Sequence, residues 1–305
     1  MEIKRRITLL LFILCAGSHL TNIYAQVNFP GGNIVLLHDG NFRDPDDIGA
    51  MPMCLAILQA AKLSDKLVYM EHSHFLGCND SIMESEMNES MHEAWERFGP
   101  FPNSTYFNYY RQSDNARNEF IRVINSSGKD NPLWVICAGR MESLYRAIAG
   151  AKKSKRKNLI LVSHSIYNED YTRNRAPMDS LCTGMVHTWD DIKRDFGKDK
   201  ITFIESSDRE IFTDNPYVLT DQNESNGDFD FKTPVASWEW LREMGPDYSW
   251  LLTRNRVRNA FDVSDAGILW FVITGAIDRK NNKKVGCETC GWREVKELLG
   301  NFMIK

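Results

Sequence analysis

Five short apolar runs limit what this chain can fold into: "NIVLLHD" (33–39), "KLVYMEHS" (66–73), "LWVICAG" (133–139), "NLILVSHS" (158–165) and "ITFIESS" (201–207). Each is continuously apolar through its middle instead of alternating. That is the pattern of strands buried on both faces, as in a parallel sheet covered by helices on each side. Between the runs, "IGAMPMCLAILQAAKL", "NARNEFIRVI", "ESLYRAIAGAKK" and "WDDIKRDFG" read as helices. Strand then helix, repeated, predicts an α/β fold: a doubly wound, mostly parallel sheet flanked by helices, Rossmann-like in plan.

Two segments depart from the alternation. Residues 79–112 read as a helical insertion rich in Met and Glu that ends in an aromatic run, either a lid over a pocket or a structural satellite. Residues 234–257 read as two further helices carrying Trp238, Trp240 and Trp250. Tryptophans two apart do not share a helix face. This leaves two outcomes, burial of the rings or a place at a pocket rim where a sugar could stack.

The N-terminus, "MEIKRRITLLLFILCAGSHLTNIYA", has a basic start, an apolar middle and a small residue at its end. It reads as a signal peptide over residues 1–25, removed after Ala25 on export to the periplasm or the cell exterior. Its apolar stretch is too short and interrupted for a membrane span. Residues 26–305 then form one α/β domain. The leader holds Lys4, Arg5 and Arg6 against Glu2, so the formal net charge of −4 becomes −6 once a net +2 is removed. An acidic mature chain argues against nucleic acid as a partner and leaves homo-oligomerisation open. Cys54 and Cys137 lie in apolar runs and read as buried thiols, whereas Cys287 and Cys290 in "GCETCGW" are either a short-loop disulfide or two unlinked thiols.

Polar side chains collect where the strands end: His38 and Asp39, then His72, Ser73 and His74, then Ser163, His164 and Ser165, then Glu205, Ser206 and Ser207. Ligands of open parallel sheets bind at the carboxyl ends of the strands, so these clusters point to one shared pocket. The densest of them is "HDGNFRDPDDIGA", with Asp39, Asp44, Asp46 and Asp47 between a strand and a helix. Like charges at close quarters need a neutralising partner. Clustered carboxylates with backbone carbonyls are what a hard cation such as calcium requires. Helix capping by Asp46 and Asp47 is the simpler account, but it leaves Asp39 and Asp44 unexplained.

At this point the chain resembles a known family. "IVLLHDGNFRDPDDIGAM" resembles a stretched form of the nucleoside hydrolase signature, in which a strand ends in D-x-D-P-G-x-D-D-A and the aspartates bind calcium beside a ribose. "PLWVICAGRMESLYRAI" is similar to the family's next strand, turn and helix, and "AFDVSDAGILWFVITG" to the late acidic motif that completes the metal site. The resemblance implies metal ligation by Asp39, with Asp44 as its competitor, by Asp47, by the carbonyl of Ala138, and by Asp265 or Asp262. It places Asp46, and Asn168 in "SHSIYNEDY", on the sugar, and makes Asp39 the base that deprotonates water.

The activity implied is calcium-dependent hydrolysis of a glycosidic bond, N-ribosyl above all, through an oxocarbenium-like state. Some family members protonate the leaving base with a histidine just before the late aspartate. Here Phe261 precedes Asp262 and Ser264 precedes Asp265. The leaving-group acid must come from elsewhere, and His72, His74 and His164 are candidates by position. His92, in the insertion, and His187, before "WDDIKRDFG", stand away from the strand ends. The departures also admit hydrolysis of another carbohydrate linked to extracellular polysaccharide use, or a binding protein that has lost turnover.

Overall fold

The computed structural model describes residues 27–38, 47–73, 81–163, 187–205, 232–234, 238–254, 260–274, 277–278, 283–284 and 292–303. Six strands form one all-parallel sheet: β1 (Asn33–His38), β2 (Leu67–His72), β3 (Tyr106–Asn108), β4 (Leu133–Ala138), β5 (Leu159–Ser163) and β6 (Thr202–Glu205). Their order across the sheet is β3-β2-β1-β4-β5-β6. The chain winds outward from β1 in one direction and from β4 in the other, which is the doubly wound α/β arrangement expected from the apolar runs.

The helices divide between the faces accordingly. On one face lie α1 (Asp47–Ala60) and α2 (Ser81–Phe98); on the other lie α3 (Tyr109–Ser126), α4 (Met141–Gly150) and α5 (Trp189–Phe196). Strand residues sort by parity: Ile34 and Leu36 of β1 face α1, and Val35 and Leu37 face α3 and α4.

A second layer covers the α1 face. It contains α6 (Pro246–Arg254), α7 (Ser264–Ile273) and α8 (Trp292–Met303); a short antiparallel pair, β7 (Lys232–Pro234) and β8 (Ala260–Asp262), leads into α7. Because α1 lies between the sheet and this layer, Ile48, Met51, Met53, Cys54, Leu55, Ile57 and Leu58 are all buried and the helix has no polar side.

The segment expected as a helical insertion does contain one long helix, α2. Its Met87, Met91, Ala94 and Phe98, spaced on one helical face, are buried in the core, and its aromatic end becomes the edge strand β3. The segment therefore continues the strand–helix alternation. Trp238 and Trp240 are both buried, with rings stacked 5.7 Å apart. A helical turn begins only at Trp240, so helical spacing does not separate their faces.

Candidate functional site at the carboxyl edge of the sheet

The register of the sheet aligns the strand ends in one row. His72 pairs with Asn108 on one side and His38 on the other, His38 pairs with Ala138, Cys137 with Ser163, and Ser163 with Glu205. The polar groups that close the apolar runs therefore share one edge. The crevice of the fold opens between β1 and β4, where α1 leaves toward one face and α4 toward the other.

On the α1 side of the crevice, His38 is fully buried. Its Nδ1 lies 3.9 Å from Oδ2 of Asp265, in the first turn of α7, and its Nε2 lies 4.0 Å from the Cys54 sulfur of α1. Asp265 is only 4 % exposed. Burial foremost, and then the Asp265 charge, pushes the Cys54 thiol well up, so this cysteine is a packed neutral group. Both Cys54 and Cys137 are buried thiols outside any disulfide, as their apolar surroundings predicted.

His72 is also fully buried, on the α1 and α2 side, with Nδ1 2.7 Å from the Tyr106 hydroxyl and its ring stacked on that tyrosine. Tyr106 extends the contact to Asn88 Oδ1, and Asn108 donates to Glu84, which Arg111 grips with two bonds of 2.6 Å. His92 meets the Tyr106 ring edge-on at 6.3 Å.

The α4 side carries a different set. Glu71 is buried, and one carboxyl oxygen accepts from the Tyr69 hydroxyl, which also reaches the Ala116 carbonyl at 3.3 Å. Burial pushes the Glu71 carboxyl up to about 7, against the opposing pull of the Ser143 and Tyr69 hydroxyls.

In the first turn of α4, Glu142 has one carboxylate oxygen accepting from Arg146 Nε at 2.6 Å. The other accepts from the His187 backbone N–H at 3.0 Å and from its Nδ1 at 2.7 Å. The His187 ring stacks on Tyr145 with centroids 3.5 Å apart. A capping box fixes the residue that follows: the Thr188 hydroxyl accepts from the Asp191 N–H while the Asp191 carboxylate accepts from the Thr188 N–H. His187 is thus held on both its backbone and its ring.

Of the expected site residues, Asp39, Asp44, Asp46, His74, His164 and Asn168 lie outside the described residues. Asp47 is the first residue of α1, Ala138 the last of β4, and Asp262 the last of β8. The structure brings Ala138, His72 and Asp265 to one edge. Among the described residues no group of three or more His, Cys, Asp or Glu side chains is placed to hold a metal. The oxygen donors that are described there, the Asp265 carboxylate and the backbone of Ala138, are of the kind a hard cation takes. The Glu142–His187 pair had escaped notice in the sequence, although "GRMES" puts Glu142 only four residues past the end of a strand. The signal for it is an acidic residue in the first turn of the helix that follows the strand.

Among the described residues no helix is long and apolar enough to cross a membrane. No family model matches the chain, and no solved structure matches it. It is 28 % identical over 292 residues, covering 90 % of this chain and 93 % of the relative, to "Uncharacterized protein P22" of Formosa agariphila.

Proposed function

We propose that the protein is an exported hydrolase of a glycosidic bond, acting on an N-riboside or a related sugar derivative at the crevice between β1 and β4. The observation that supports this most is the meeting of His38 with Asp265, 3.9 Å apart, because it carries the late acidic motif to the strand that leads into the aspartate-rich segment. Ala138 lies in register with His38 on the neighbouring strand. Those are the places from which Asp39, Asp47, the Ala138 carbonyl and Asp265 would hold calcium, with Asp44 and Asp262 as the alternative carboxylates.

When bound, calcium would supply a Lewis-acidic centre at which a water is more readily deprotonated. Asp39 takes that proton, Asp46 and Asn168 hold the sugar hydroxyls, and the water oxygen joins the anomeric carbon as the glycosidic bond breaks. Ser264 and Phe261, where a histidine would precede the late aspartate, favour a second reading in which the sugar derivative is not an ordinary nucleoside, or is bound without turnover.

A panel of nucleosides and aryl glycosides, followed by release of reducing sugar with and without chelator, tests the reading. Hydrolysis that chelator abolishes and that Asp265→Ala lowers at least a hundredfold is expected. Sugar-induced thermal shifts without turnover would establish the binding-protein reading instead.

A further inference from the structure

The geometry points to His187 as the group that protonates the leaving group, with Glu142 as its positioning residue; this rests on the hydrolase reading above. Glycoside hydrolysis with an attacking water needs two proton-handling groups on opposite sides of the anomeric carbon, one by the water and one by the departing atom. Elements on the two faces of the sheet carry titratable groups where they start at its carboxyl edge. Asp47 and Asp265 begin α1 and α7, on one face of the sheet, while Glu142 and His187 belong to α4 and the entry to α5, on the other. His72 cannot serve the second flank: it lies on the α1 and α2 side, fully buried, with Nδ1 against Tyr106.

The local chemistry of His187 suits the role. A carboxylate only accepts hydrogen bonds, so the 2.7 Å contact with Glu142 Oε2 places a hydrogen on Nδ1. The exchangeable proton is then the one on Nε2, the nitrogen turned away from Glu142. The Glu142 side chain is 1 % exposed and anchored by Arg146, whereas the His187 side chain is 26 % exposed and reachable by a ligand. Stacking on Tyr145 and the capping box at Thr188 hold the ring plane and the backbone. A buried carboxylate orienting a half-buried imidazole is the arrangement that general acid–base catalysis uses elsewhere.

In the step, the bond between the anomeric carbon and the leaving nitrogen or oxygen breaks, and its electron pair stays on the leaving atom. That atom takes the proton from His187 Nε2. The water oxygen bonds to the anomeric carbon and gives one proton to Asp39. Solvent then returns a proton to His187 and removes one from Asp39, so nothing else is consumed.

The test compares kcat/KM for uridine, whose leaving group needs protonation, with that for para-nitrophenyl ribofuranoside, whose leaving group does not. For His187→Gln and His187→Ala the expected loss is about a hundredfold or more on uridine and no more than about fivefold on the nitrophenyl riboside. Glu142→Gln should give the same pattern with a smaller loss. Equal losses on both substrates, or none, would overturn the assignment while leaving the hydrolase reading intact. So would a wild-type protein that cleaves the nitrophenyl riboside and not uridine. A wild-type protein that cleaves neither these two nor any other glycoside of the panel overturns the hydrolase reading and this assignment with it.

Discussion

Replacing Glu71 with glutamine should stabilise the protein above neutral pH and do little at about pH 5. The carboxyl lies one residue before the end of β2, on the face covered by α3 and α4, and accepts from the Tyr69 hydroxyl; Glu71 is 1 % exposed. Burial raises it from 4.5 to about 7 in the folded chain. Between those two values the folded state keeps the proton that the unfolded chain has already released. Stability is therefore fully present below the unfolded value and lost as pH rises through the folded one. At about 1.4 kcal/mol per unit, the loss between about pH 5 and pH 8 is roughly 2 to 3 kcal/mol.

Glutamine keeps the oxygen that accepts from Tyr69 and removes the titration. Urea denaturation of the wild type and Glu71→Gln at the two pH values isolates this group, since every other titration is common to both proteins. The variant should overtake the wild type by roughly 2 to 3 kcal/mol on going to the higher pH. A difference between the two proteins that stays constant with pH within about 0.5 kcal/mol would refute the buried-carboxyl argument.

Calcium at about a hundred times its dissociation constant should stabilise the folded state by roughly 2.7 kcal/mol, read as a rise in Tm that EDTA reverses and Asp265→Asn removes. Arg254, buried at the end of α6, donates to Ser90 Oγ, Glu89 Oε1 and both the carbonyl and a carboxylate oxygen of Glu86, so it pins α6 to α2. Arg254→Ala should cost about 1 to 2 kcal/mol in chemical denaturation, because the buried Ser90 hydroxyl and the Glu86 carbonyl lose their donor while the Glu86 and Glu89 carboxylates, 24 % and 55 % exposed, keep access to water. Thr188→Ala removes half of the capping box and should cost about 1 kcal/mol of stability. Its larger effect should fall on uridine hydrolysis, because His187 adjoins the cap.

The strands of the sheet's interior were legible because a run of five or six apolar residues flanked by polar ones has few other uses. β1, β2, β4 and β5 fall within the runs that predicted them. The edge strand β3 was not legible. "YFN" is three residues long and merges into the aromatic start of α3, so no two-sided burial marks it. Candidate residues were legible where they close a strand, as with His38 and His72, since register alone then brings them together, whereas Ala138 was marked only by the resemblance. Asp265 was expected in the site only through resemblance to the late acidic motif, and its approach to His38 has no mark in the sequence. The bond between Glu142 and His187 joins helix starts that follow different strands, and no periodicity in the chain records such a meeting.

The enclosure of α1 sets a limit on how this protein can change. A helix with packing partners on every side leaves little room for a change of side-chain size, and its first residue, Asp47, follows β1 at the carboxyl edge of the sheet. The opposite flank is different: α5 exposes Asp190, and Arg146 and Arg194 lie partly in solvent. On the proposed hydrolase reading, adaptation to a new leaving group would therefore accumulate on α4 and α5. The wall made by α1 and α7 would stay fixed, so one half of the crevice serves as a template and the other as the part that varies.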